Sequence, residues 1–126
     1  MAVLLDTSVL IAAQVGPDED AAISVVSLTE LHFGVLAARD DATRARRMLR
    51  LGAIEDHFDA IPLDAATARE CGRLHAAVAQ RGGQPRRRAL DLAIAATANI
   101  QGVPLLTYNA EDFQIIDDLV EIRRAS

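Results

Sequence analysis

Four carboxylates and one carboxamide occupy positions from which they could act together. Asp6 ends the apolar run AVLL, Glu30 lies in SLTELHFGV, Asp91 interrupts ALDLAIAATANI, and Asn109 and Asp112 belong to YNAEDF. Asp91 is the oddest of them. From Ala89 to Ile100 nearly every residue is an apolar helix former, the pattern of a helix buried on most sides. An ionised carboxylate there needs either a wet helix end or a facing cation. Carboxylates crowded at one place repel each other and call for a hard, oxygen-seeking ion, Mg²⁺ or Mn²⁺. An ion so held can activate water and neutralise charge in phosphoryl transfer. Each acid also has a plainer reading. Asp6 suits a cap on the helix that follows it, and SLTE makes Glu30 the partner of Ser27 in a capping box. Asp91 gains from the dipole at a helix start, and Asp112 suits a turn.

Around these acids stand residues able to assist. Thr7, Ser8 and Thr107 can orient a water or steady a ligand, or serve as cap and strand-end residues. Arg86, Arg87 and Arg88 directly precede the Asp91 helix, where they can grip phosphates or lie as a solvated loop. All 13 basic residues are arginines, five of them between Arg39 and Arg50 and four between Arg81 and Arg88, within a net charge of −5. The total argues against a polyanionic partner; the clustering argues for local phosphate contact. With Tyr108, Phe33, Phe58 and Phe113 as the aromatic residues, base stacking cannot dominate recognition of a nucleic acid.

The absence of lysine excludes a phosphate-loop lysine and a Schiff base. A haloacid-dehalogenase-like phosphatase starting at DTS needs a second aspartate where Ser8 stands. His32, His57 and His75 match no zinc spacing, and Cys71 has no internal partner. MAVLLD lacks the pattern of an export signal, and LAIAATANI is about half the length a membrane helix needs. The expectation is a cytoplasmic protein with no membrane association.

The elements that must position the acids follow from apolar spacing. AVLL and AISVV read as buried strands, with TSVLIAAQ a helix between them that GPDED breaks. SLTELHFGVLAARDD and ATRARRMLRLGAIEDHF have helical spacing, the second with Met48, Leu49, Leu51 and Ile54 as its apolar side. DAIPLD reads as a strand or extended link, and AATARECGRLHAAVAQRGG as a helix closed by glycine. QRGGQPRRR reads as a loop, VPLLTY as a strand, NAEDF as a turn or short helix, and LVEIRR as an edge strand. Strands alternating with helices predict a single α/β domain over residues 1–126 with a mainly parallel sheet. Ligand sites in such sheets lie at the carboxyl ends of the strands, where Asp6, Glu30, Asn109 and Asp112 fall.

LLDTSVLIA, ISVVSLTELHFGV and LDLAIAATANIQGVPLLTYNAEDF together resemble the PIN-domain ribonucleases, specifically the VapC-type toxins of toxin–antitoxin pairs, over essentially the whole chain. The resemblance implies an α/β/α sandwich and an endoribonuclease dependent on Mg²⁺ or Mn²⁺ that cuts structured RNA such as tRNA or rRNA. It implies inhibition by a cognate VapB-type antitoxin lying across the active groove, and a homodimer. By position, Asp6, Glu30 and Asp91 match the family's metal-binding catalytic acids, and Asp112 matches the later acid of the DF pair. Asn109 stands where members often have an acid, and the missing charge weakens the case for a second tightly held ion. A further departure is that Glu30 follows Asp6 by only 24 positions, with VGPDEDAA in place of a helix common in the family. The alternative is a catalytically silent PIN-like domain that acts by binding protein or RNA, whose mark would be loss of a core acid.

Overall fold

Five short strands, the first four each followed by a helix or 3₁₀ segment, build the centre of the molecule. The computed structural model describes residues 1–12 and 20–125. The chain runs β1 (Val3–Leu5), α1 (Thr7–Ile11), β2 (Ala21–Ser24), α2 (Val25–Leu36), α3 (Asp41–His57), β3 (Ala60–Ile61) and α4 (Ala65–Gln80). A 3₁₀ turn at Pro85–Arg88 leads into α5 (Ala89–Gln101), then β4 (Leu105–Thr107), a second 3₁₀ segment (Ala110–Ile116) and β5 (Ile122–Arg124). The sheet order is β3-β2-β1-β4-β5 and every pairing is parallel. This is the expected α/β sandwich.

Alternation along the strands separates the two faces. Leu4, Ala22 and Leu105 pack with Leu74 and Val78 of α4 and with α5. Val3, Leu5 and Ile23 point the other way, into a core with Leu31 and Val35 of α2 and Leu51 and Ile54 of α3. Helix α5 is buried continuously from Leu92 to Ala98, so the reading of a helix enclosed on most sides holds. It ends at Gly102, whose φ of 69° is the left-handed conformation that lets Val103 N–H reach Ala98 O at 3.1 Å.

Several boundaries differ from the sequence reading. The strand expected over AISVV stops at Ser24, because the Ser24 hydroxyl accepts the Val26 N–H at 3.0 Å and starts α2 there. Ser27 is therefore inside the helix, and the capping box expected for Glu30 does not form. On α3 only Leu51 and Ile54 are buried. Met48 lies on the flank of that face and Leu49 opposite it, so both are exposed. PRRR, within the stretch read as a loop, is a 3₁₀ turn. The expected continuation of α1 through Ala13 and Gln14, and the GPDED break apart from Asp20, lie outside the described residues, as does most of VGPDEDAA.

The arginines of α3 have a structural use. Arg44, Arg47 and Arg50 donate to the carbonyls of Ala38, Gly34 and Ile11 at 2.8, 2.7 and 3.2 Å. These carbonyls lie at or just past the ends of α1 and α2, where backbone acceptors lack helical partners and the dipole favours positive charge.

Candidate metal-dependent active site

β1 has β2 on one side and β4 on the other, so the winding of the sheet reverses beside it. The crevice outside the carboxyl ends of β1 and β4 is the place where such a sheet offers a binding site. Asp6 leaves β1 there with extended backbone and stands at the N-cap of α1. Its side chain makes no cap hydrogen bond. Instead Asp6 Oδ2 accepts the hydroxyls of Ser8 at 2.7 Å and Thr107 at 2.8 Å. Thr107 ends β4 and is fully buried, so it acts through Asp6 rather than facing the crevice. The tie is reinforced by backbone: Tyr108 N–H donates to Ser8 Oγ and Asn109 N–H to Thr107 Oγ1.

Glu30 arrives from α2. Its Oε1 accepts the Thr7 hydroxyl at 2.7 Å, and Thr7 Oγ1 in turn lies 2.9 Å from the buried Ser27 hydroxyl. Since the Thr7 proton goes to Glu30, Ser27 donates to Thr7. Ser27 is thus the residue the sequence reading missed: three positions before Glu30, it shares a helix face with it, a spacing that also spells a capping box. Burial raises the Glu30 carboxyl above its ordinary value, offset by the Thr7 hydrogen bond and increased by the charge of Asp6.

Asp91 lies in the first turn of α5 and is half-buried. Desolvation, then the charges of Asp6, Glu30 and Asp112, push its carboxyl from 3.8 to about 6 against the pull of Arg88. The three other acids therefore all act on Asp91 through space. Asp6, Thr7, Ser8, Glu30, Asp91 and Asn109 line one open cavity of about 470 Å³. Asp112, in the second 3₁₀ segment, does not line that cavity but a second one of about 510 Å³, with Arg87 and Arg88. Arg88 pairs with an acid of each, with Nη1 3.1 Å from Asp112 Oδ1 and 3.7 Å from Asp91 Oδ2. Arg86 is exposed beside them.

The donor set is all oxygen, which suits a hard divalent ion and not zinc or copper. Among the described residues no three His, Cys, Asp or Glu side chains are already gathered as a metal-holding group. The acids instead have other partners: hydroxyls hold Asp6 and Glu30, while Arg88 pairs with Asp91 and Asp112.

Residues 3–119 match the family model for the PIN domain. The chain belongs to the PIN-domain family, of the VapC type. It is 37% identical to ribonuclease VapC5 of Mycobacterium tuberculosis over 94% of this chain and 90% of that protein. It is 40% identical to ribonuclease VapC8 of the same organism over 78% of this chain and 91% of the relative. Among solved structures it superposes on VapBC-5 of M. tuberculosis, a member of the VapBC family of toxin–antitoxin systems, with a TM-score of 0.81 and 36% identity. That superposition covers 98% of this chain and 96% of the other. Among the described residues no helix is long and apolar enough to cross a membrane.

Proposed function

We propose that residues 1–126 form one endoribonuclease unit, the toxin half of a toxin–antitoxin pair, dependent on Mg²⁺ or Mn²⁺. The observation that carries this reading is the meeting of Asp6, Glu30 and Asp91, from three separate elements, in one cavity at the sheet's switch point. The relatives' names supply the reaction class and the pairing: two are called ribonucleases, and the similar structure is of a VapBC system. Asp6, Glu30 and Asp91 would hold the ion, with Asp112 and the Asn109 carbonyl completing the set. Bound there, a divalent ion supplies an activated water and neutralises charge on the reacting phosphate.

The protein's own residues do the rest. Ser8 and Thr107 fix one oxygen of Asp6, and Thr7 fixes one oxygen of Glu30, leaving each acid a second oxygen for the groove. Arg86, Arg87 and Arg88 would grip RNA phosphates near the acids. The substrate in this reading is structured RNA, tRNA or rRNA, met in the cytoplasm. A VapB-type antitoxin covers the groove and the chain pairs as a homodimer.

The test is incubation of antitoxin-free protein with a tRNA and rRNA pool, with Mg²⁺ or Mn²⁺, with EDTA, and beside Asp91→Asn. Discrete fragments that disappear with EDTA and with the substitution support the reading. Intact RNA under every condition overturns it and leaves a silent binding domain.

A further inference from the structure

The acids of the site are satisfied in two different ways. Asp6 and Glu30 are held by uncharged hydroxyls, those of Ser8, Thr107 and Thr7. Asp91 and Asp112 have a charge for a partner: one nitrogen of Arg88 lies between them, 3.7 Å and 3.1 Å away. The two acids come from different elements, α5 and the 3₁₀ segment after β4, so Arg88 is the group that ties those elements together at the crevice. A single cationic atom between two carboxylates occupies the place a divalent ion shared by the same two acids would take. A guanidinium keeps its proton throughout the accessible pH range, so it yields that place only by moving. Movement is open to it, because its side chain is 40% exposed and stands at the end of a short 3₁₀ turn on the surface.

We infer that Arg88 is a built-in counter-ion that competes with the divalent cation for Asp91 and Asp112 and is released toward the substrate phosphate when the cation enters. The inference rests on the metal-dependent reading above. It gives the two halves of the site different roles. The hydroxyl-held half, Asp6 and Glu30, receives an ion without displacing any charge, whereas recruiting Asp112 requires Arg88 to leave. It also distinguishes Arg88 from Arg86 and Arg87, for which the structure gives no ion pair with these acids.

The experiment is calorimetric titration of the metal-free full chain with Mn²⁺, for the wild type, Arg88→Gln, Arg88→Lys and Arg87→Gln. Arg88→Gln should bind Mn²⁺ more tightly than wild type by on the order of 5- to 30-fold, the size of a partly screened unit charge a few ångströms away. Arg87→Gln, which removes the same charge nearby, should change affinity by about twofold or less at moderate salt. Arg88→Lys should fall between wild type and Arg88→Gln. In an Asp112→Asn background the gain from Arg88→Gln should shrink, since one of the two competed-for carboxylates is gone and Asp91 remains. Equal affinity of wild type and Arg88→Gln, or equal gains from Arg88→Gln and Arg87→Gln, overturns the inference and leaves the metal reading standing. Failure of all the proteins to bind Mn²⁺ overturns both.

Discussion

At the scale of single residues, the site stores a conflict between stability and chemistry. Asp91 is held partly out of water and faces three other acids, and its carboxyl titrates at about 6 instead of 3.8. A carboxyl raised in the folded state stabilises the fold while protonated, and that contribution is lost as pH rises through the folded value. The metal-free protein should therefore lose stability from this group between about pH 4 and pH 6. At 1.36 kcal/mol per pH unit, discounted for partial exposure, the penalty at pH 7 is about 1–2 kcal/mol. Asp91→Asn should accordingly raise the melting temperature in EDTA at pH 7 by roughly 2–6 °C while removing cleavage. A variant that melts lower than wild type at pH 7 would contradict this account of Asp91. Thr107→Val, isosteric but without the hydroxyl, tests the other half of the site. It should cost about 1–2 kcal/mol by leaving buried Asp6 and the Asn109 N–H each short of a partner, read as a shift in urea midpoint.

At the scale of elements, the arrangement depends on where short turns allow close approach. Gly83 precedes the 3₁₀ turn that carries Arg88, and a Cβ added there would come within 2.7 Å of Val78 Cγ1 and 2.8 Å of Ile115 Cδ1. Val78 is in the core of α4, so it cannot withdraw freely. Gly83→Ala should destabilise by about 1–2 kcal/mol through local overpacking and shift Mn²⁺ affinity by moving Arg88. A change in melting temperature with unchanged Mn²⁺ binding would separate the turn's packing from its placement of Arg88. Helix α2 gives a simpler case. Ser24→Ala removes its N-cap and should cost about 1 kcal/mol, measured by chemical denaturation.

At the scale of the whole molecule, the two arginine clusters have different surroundings. Arg44, Arg47 and Arg50 of α3 are turned onto backbone carbonyls at the ends of α1 and α2, whereas Arg87 lines the cavity beside Asp112 and Arg86 is exposed in the same 3₁₀ turn. RNA binding by the Asp91→Asn protein should weaken with salt, and each of Arg86→Ala and Arg87→Ala should reduce the log–log slope by about 0.7. Arg47→Ala should leave that slope alone and lower stability by about 1 kcal/mol through its lost carbonyl bond. Fluorescence anisotropy across a salt series, beside melting curves, reads both. The alternation of strands and helices, the burial of α5, the position of Asp6 after its strand and that of Asp91 at a helix start were legible in the sequence, because apolar periodicity and element ends are local properties. Glu30 shows the limit. SLTE is compatible with a capping box or with a site acid, and only the start of α2 at Ser24 turned Ser27 away from the helix end and onto Thr7. Met48 and Leu49 show it again, since hydrophobicity marks candidates for burial while the rotation of α3 against the sheet selects among them. The ion pairs of Arg88 with Asp91 and Asp112 join residues whose nearness depends on how the 3₁₀ turns pack. The sequence by itself determined the family, the order of strands and α-helices and which acids are candidates for a site. Tertiary structure decided which hydroxyl or cation satisfies each acid, because those partners meet only when separate elements close around the switch point.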